Sequence, residues 1–162
     1  MAENILPAAA SDPKWAATWL ELGQGAPTLA GLARVASISI ATGGDKSIAL
    51  SREARCILHA ARNRGVIEIK GSNRAFDAPG RMLAVYVEAD AERTLIFRSR
   101  ENPAFTIRFL AGFRELCAAG LVMHHINAEF SLTREGLDLA QTVGESEVSE
   151  LLTLATEFGV FE

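Results

Sequence analysis

The chain reads as an α+β domain, and three observations carry that reading. Apolar residues recur at helical spacing in several stretches, each opened by a capping residue and closed by glycine. Between these stretches lie short segments rich in Val, Ile, Tyr and Phe that alternate as strands do. Residues 113–140 (FRELCAAGLVMHHINAEFSLTREGLDLA) then run through a helix end, a Gly stop, a short strand pair and a new helix start.

The totals fit one compact domain. At 162 residues a single core suffices without disulfide or metal staples. The apolar fraction of 49% is ordinary for a globular protein. No apolar run approaches the roughly 18 residues needed to cross a bilayer, and the N-terminal MAENILPAAASDP lacks the basic and apolar regions of a secretory signal. A cytoplasmic location is therefore expected. The cysteines, Cys56 and Cys117, fall on apolar helix faces and are expected to be reduced and buried.

Charge is uneven along the chain. Residues 50–134 hold 13 Lys and Arg against 9 Asp and Glu, whereas residues 135–162 hold none against 7. A basic middle followed by an acidic end fits a polyanion-binding body with a competing tail. It equally fits solvated helix faces. Of the 16 basic residues 13 are Arg, which suits bidentate contacts.

Residues 1–11 carry no pattern and are expected to be disordered. Residues 12–44 are expected to form a helical arm. Asp12-Pro13 has the form of a cap and first-turn Pro, and Trp15, Trp19 and Leu22 then share one face before Gly23. The Trp pair must dock on this chain's core or on a partner. In residues 27–42, Leu29, Leu32 and Val35 suit a helix, while Ile38 and Ile40 suit a strand. Gly43-Gly44-Asp45 marks the boundary with the body, residues 45–162.

In the body, Ser51 caps a helix to Arg62 with Ala54, Ile57, Leu58 and Ala61 as its stripe, and Gly65 breaks it. Val66 to Ile69 read as a strand and Gly71-Ser72-Asn73 as a turn. Residues 82–98 read as a β-hairpin about Ala89 to Glu92; the rival is a helix over 78–89, with Met82, Leu83, Tyr86 and Val87 at helical spacing. Asn102-Pro103 opens a helix with the stripe Phe105, Phe109, Phe113, Leu116 and Cys117, closed by Gly120. Leu121–Ile126 and Phe130–Leu132 form a hairpin, and Thr133 caps the next helix. Residues 146–158 read as a last helix, with Val148, Leu151, Leu152 and Ala155 inward and Glu147, Glu150 and Glu157 outward.

FRELCAAGLV followed by FSLTREGLDLA resembles the C-terminal half of winged-helix bacterial regulators. LSREARCILHAARNRGVIEI is similar to that family's first helix and short strand. The resemblance implies a winged-helix-like domain, here with an additional β-hairpin and an N-terminal helical arm. It implies that the helix before Gly120-Leu121 is the recognition helix and the hairpin after it the wing. Three departures stand against base reading. The positions that would reach base edges are Ile107, Arg108 and Ala111. The wing tip, His124 to Glu129, has no Arg or Lys and carries a carboxylate. The 82–98 hairpin sits where the second helix should be.

No catalytic, cofactor or metal motif assembles. Thr42 to Ser47 lacks the glycines of a phosphate loop. His124 and His125 are neighbours on a strand, so they point to opposite faces and cannot share a metal. His59 reads as a packing residue. A Cys117–His124 pair is conceivable, but a thiol on a buried stripe is inert. Arg98 and Arg100 lead into the helix at Pro103, whose N–H groups and dipole favour an anion; the alternative is a surface network with Glu92, Glu101 or the acidic end.

Three functions remain open. The first is a non-enzymatic binding or regulatory module whose partner is a protein, self-association included, with Trp15 and Trp19 at the contact. The second is a DNA-binding regulator using Arg98, Arg100, Arg108 and Arg114. The third is a small enzyme with a site the motifs do not reveal. Fold alone does not choose among them.

Overall fold

A computed structural model describes residues 16–17, 27–72 and 74–158. Its elements are α1 (Pro27–Thr42), α2 (Arg52–Ala61), β1 (Val66–Lys70), α3 (Ala78–Arg81), β2 (Ala84–Glu88), β3 (Thr94–Phe97), α4 (Pro103–Ala118), β4 (Val122–His124), β5 (Glu129–Leu132), α5 (Arg134–Ala140), α6 (Glu145–Leu154) and β6 (Thr156–Phe158). The strands form one antiparallel sheet in the order β4-β5-β1-β2-β3-β6. The molecule is thus α+β, as expected.

Alternation divides the sheet into two faces. Ile67, Ile69, Val85, Val87, Leu95, Phe97, Phe130 and Leu132 face the helices and join the main core. Ala84, Tyr86 and Ile96 form a small separate cluster on the other face. Register explains this: Ile67 pairs with Val87 and with Phe130, and Val85 with Phe97, so inward residues meet inward residues.

Helix α4 is the centre of the core. Its stripe Phe105, Phe109, Phe113, Leu116 and Cys117 is buried. The Phe109 ring stacks on Phe97 with centroids 4.3 Å apart, and Phe113 meets Phe130 edge-on at 4.9 Å. Such pairs add about 0.5–1.5 kcal/mol each beyond their burial. The helix contacts β2, β3, α1 and α2, and α2 packs in turn on α5 and α6.

Local signals explain most boundaries. Ser51 Oγ accepts from Ala54 N and Thr133 Oγ1 from Gly136 N, so both caps form as expected. Residues 27–42 are helical throughout, which settles their ambiguity against the strand. Ile38 and Ile40 sit within that helix, and its Leu29, Leu32, Ala33 and Ala36 belong to the same core as α4. The hairpin of β2 and β3 forms; the rival helix is confined to the single turn of α3.

Two expectations need correction. The last helix stops at Leu154, and Thr156–Phe158 pair with β3 as a strand. The open edge of β3 offers these residues ladder hydrogen bonds that helical spacing alone does not reveal. Asn102 makes no side-chain cap bond. Its own N–H donates to Ser99 Oγ at 3.0 Å, and Ser99 N donates to Thr106 Oγ1 at 3.0 Å. These bonds tie the turn to the start of α4 without the Asn102 side chain.

Candidate anion-binding corner

One end of the three central strands gathers cations from two separate stretches of chain. Register places Lys70, at the end of β1, opposite Ala84, at the start of β2. The end of β3 lies beside them because Val85 pairs with Phe97. The connection from β1 to β2 carries Arg74 and Arg81; the turn after β3 carries Arg98 and Arg100.

The connection is held in one conformation by short-range chemistry. Asp77 caps α3, accepting from Gly80 N at 2.7 Å. Arg81 Nη1 donates to the carbonyls of Phe76 at 2.6 Å and Ala75 at 3.2 Å, closing the segment on itself. Two glycines permit this packing. A Cβ on Gly71 would lie 2.5 Å from the Arg81 carbonyl oxygen, and one on Gly80 would lie 2.7 Å from Ala75 Cβ and 2.9 Å from Arg100 Nε.

Arg98 braces the corner. Its guanidinium donates to Met82 O at 3.0 Å, Lys70 O at 3.1 Å and the Tyr86 hydroxyl at 2.8 Å. It also lies over the Tyr86 ring, as does Lys70, at 5.4 and 4.6 Å from the centroid. Its Nε is buried without a partner, the one such side-chain atom among the described residues. Arg100 stands 3.8 Å from the Asp77 carboxylate, beyond hydrogen-bond reach. Lys70 pairs with Glu68 at 3.2 Å. Arg74 is exposed and forms no ion pair with a described residue.

Electrostatically the corner keeps much of its charge. A carbonyl satisfies a guanidinium donor without cancelling its charge; a carboxylate cancels it. Arg81 and Arg98 bond to carbonyls and a phenol, and among the described residues only Lys70 and Arg100 of this corner have a carboxylate within 4 Å. From this corner projects Phe76, whose surface is 99% exposed.

The residues singled out from the sequence are distributed as follows. Arg98 and Arg100 both reach the corner, but Arg98 turns to the outer face of the sheet rather than to the start of α4. Arg108 and Arg114 project outward from α4 beside Ile107, which is 56% exposed, and Ala111. Trp15 and Trp19 lie outside the described residues. None of Lys70, Arg74, Phe76 and Arg81 is singled out from the sequence: Gly71-Ser72-Asn73 reads as a turn, and Arg81 falls only within the rival helix over 78–89. The available signal is a Phe close to two arginines in the connection between two strands.

The groups weighed for catalysis are otherwise engaged. His59 is 6% exposed, and its Nδ1–H donates to Val143 O at 3.1 Å. His124 donates through Nε2 to Asn127 O at 2.8 Å. Ser131 Oγ donates to Leu132 O, so His125 Nε2–H donates to Ser131 Oγ at 2.7 Å. The two rings lie on opposite faces, with His124 against Phe130. Burial pushes the Cys56 thiol up to about 12, helped by nearby Glu53 and opposed by Arg52, and burial also raises Cys117. Among the described residues no group of three or more His, Cys, Asp or Glu could hold a metal, and no helix is long and apolar enough to cross a membrane.

Compared with known proteins, the chain matches no family model, no curated protein and no solved structure.

Proposed function

We propose that this protein is a non-enzymatic binding module of winged-helix type that holds nucleic acid through the corner of Lys70, Arg74, Arg81, Arg98 and Arg100. The observation that carries this is the convergence of these cations, from two stretches separated by a whole hairpin, at one end of the central strands. Phosphate contacts supply most of the affinity of sequence-independent binding. The winged-helix part of the reading draws on α4 running directly into the β4–β5 hairpin, with β5 paired to β1.

The reading departs from a base-reading regulator. The outward face of α4 offers Ile107, Arg108, Ala111 and Arg114, and only the arginines can contact a nucleic acid. The contact is therefore with the backbone and carries little sequence preference. A protein partner, including a second copy of this chain, is the competing reading. It draws on exposed Ile107 and on the Trp pair outside the described residues.

The test is fluorescence anisotropy with labelled random-sequence strands and duplexes across a salt series, with light scattering on the same sample. Micromolar binding that weakens steeply with salt is expected, with a log–log slope of about 0.7–0.9 per phosphate contacted. Absence of binding at low salt contradicts the proposal, and the light-scattering mass then shows whether the chain associates with itself.

A further inference from the structure

The geometry points to Phe76 as a stacking platform for an unpaired base, so that the favoured ligand is a single strand rather than a duplex. This rests on the nucleic-acid reading above and goes further by naming the form of the ligand. Scattered exposed apolar residues are normal and carry no meaning alone. Phe76 differs because its backbone is fixed while its ring is left in water. Its carbonyl is clamped by Arg81 Nη1 at 2.6 Å, and the next residue, Asp77, is the cap of α3. The ring is presented on a preorganised support, so little freedom is lost when a flat partner lands on it.

The surroundings select the kind of partner. The exposed chain neighbours of Phe76 are Arg74, Asp77 and Ala78, with Ala75 turned inward; Arg81 holds the Phe76 carbonyl, and Arg100 stands 3.8 Å from Asp77. A pocket on another protein would need apolar neighbours around the ring to seal it. Here the one exposed apolar neighbour along the chain is the small Ala78, beside Arg74 and Asp77. An exposed aromatic ring in a corner that also carries Arg74, Arg81 and Arg100 matches a nucleotide, whose base offers a π-face and whose phosphate sits alongside. Bases in a duplex are already stacked on each other, and only an unpaired base can lie on Phe76.

The experiment compares a random-sequence single strand with a duplex of equal length, using wild type, Phe76→Ala and Phe76→Trp. Wild type is expected to prefer the single strand. Phe76→Ala should weaken single-strand binding by roughly five- to a hundredfold and duplex binding by no more than about twofold. Phe76→Trp should retain the preference, and its added indole emission should be quenched on binding the strand. Because the ring is exposed, far-UV circular dichroism should be unchanged in both variants, and Arg74→Ala should weaken strand and duplex alike. If Phe76→Ala binds the single strand as tightly as wild type does, the stacking inference is overturned while the nucleic-acid reading stands. If wild type binds neither ligand, both fall. If wild type self-associates and Phe76→Ala does not, the ring is a protein contact and the inference is overturned.

Discussion

The two ends of the β1–β2–β3 ribbon both carry arginines, but their partners differ. At the hairpin-tip end, a cleft of about 340 Å3 is lined by His59, Arg62, Asn63, Arg93, Glu145 and Glu157 among others. Arginines of this end and of α2 meet carboxylates. Arg93 pairs with Asp90 and Glu157, Arg64 with Glu88, Arg55 with Glu147 and Arg52 with Glu150. Three of these five acids, Glu147, Glu150 and Glu157, belong to the acidic end of the chain. At the other end Arg81 and Arg98 donate to carbonyls and a phenol rather than to carboxylates, and their charge survives. The difference teaches that an arginine's role depends on whether its acceptor is charged. It also places the acidic segment: α6 packs on α2 and neutralises that side, leaving the corner basic.

The largest expected effect should break both ends together. Phe109 is fully buried, stacked on Phe97 of the sheet and tilted against Phe105. Phe109→Ala should cost about 3–5 kcal/mol in denaturant unfolding, removing the scaffold that both regions share. Gly80→Ala should separate them. The new Cβ meets Ala75 Cβ and Arg100 Nε inside normal contact distance, so a loss of about 1–3 kcal/mol is expected. Nucleic-acid binding should fall while the α2–α6 ion pairs stay intact, which chemical-shift perturbation can localise.

A smaller effect sharpens the tip end. The Arg55–Glu147 pair is partly exposed, with side-chain exposures of 32% and 49%. Glu147→Gln should therefore cost under about 1 kcal/mol, less in high salt. Removing that carboxylate should also extend the basic surface and strengthen nucleic-acid binding slightly, read by the same anisotropy titration.

The thiols give a pH prediction. Burial raises both above their ordinary range, Cys56 to about 12. A group whose folded pKa is raised gives stability that is complete below the unfolded pKa and is lost as pH rises through the folded one. Stability should therefore decline from about pH 9 upward. In native protein at pH 8 both thiols should resist a disulfide reagent, and both should react once urea unfolds the chain. Rapid reaction of native protein would contradict their burial.

How much of this was legible in the sequence depends on range. Ser51 and Thr133 cap their helices within three residues, so their signals are complete in the local sequence. The α4 stripe was equally plain, because helical period and burial coincide. The last helix was read too long because Leu151, Leu152 and Ala155 keep helical spacing. The pull of the β3 edge on Thr156–Phe158 comes from some sixty residues away. The corner was half-visible for the same reason. Arg98 and Arg100 stood out as neighbours of a helix start, but Lys70, Arg74 and Arg81 join them only through strand register. No local pattern announces that juxtaposition, and the carbonyls that hold Arg98 belong to residues 16 and 28 positions away.

The most direct measurement of the central claim is the salt dependence of single-strand binding for wild type against the Arg74→Ala, Arg100→Ala double variant. Both side chains are exposed, and among the described residues neither donates a hydrogen bond to the backbone. The account predicts weaker binding and a log–log slope shallower by about 1.4, the loss of two phosphate contacts at roughly 0.7 each. An unchanged slope and affinity, in a variant whose circular dichroism matches wild type, would contradict it.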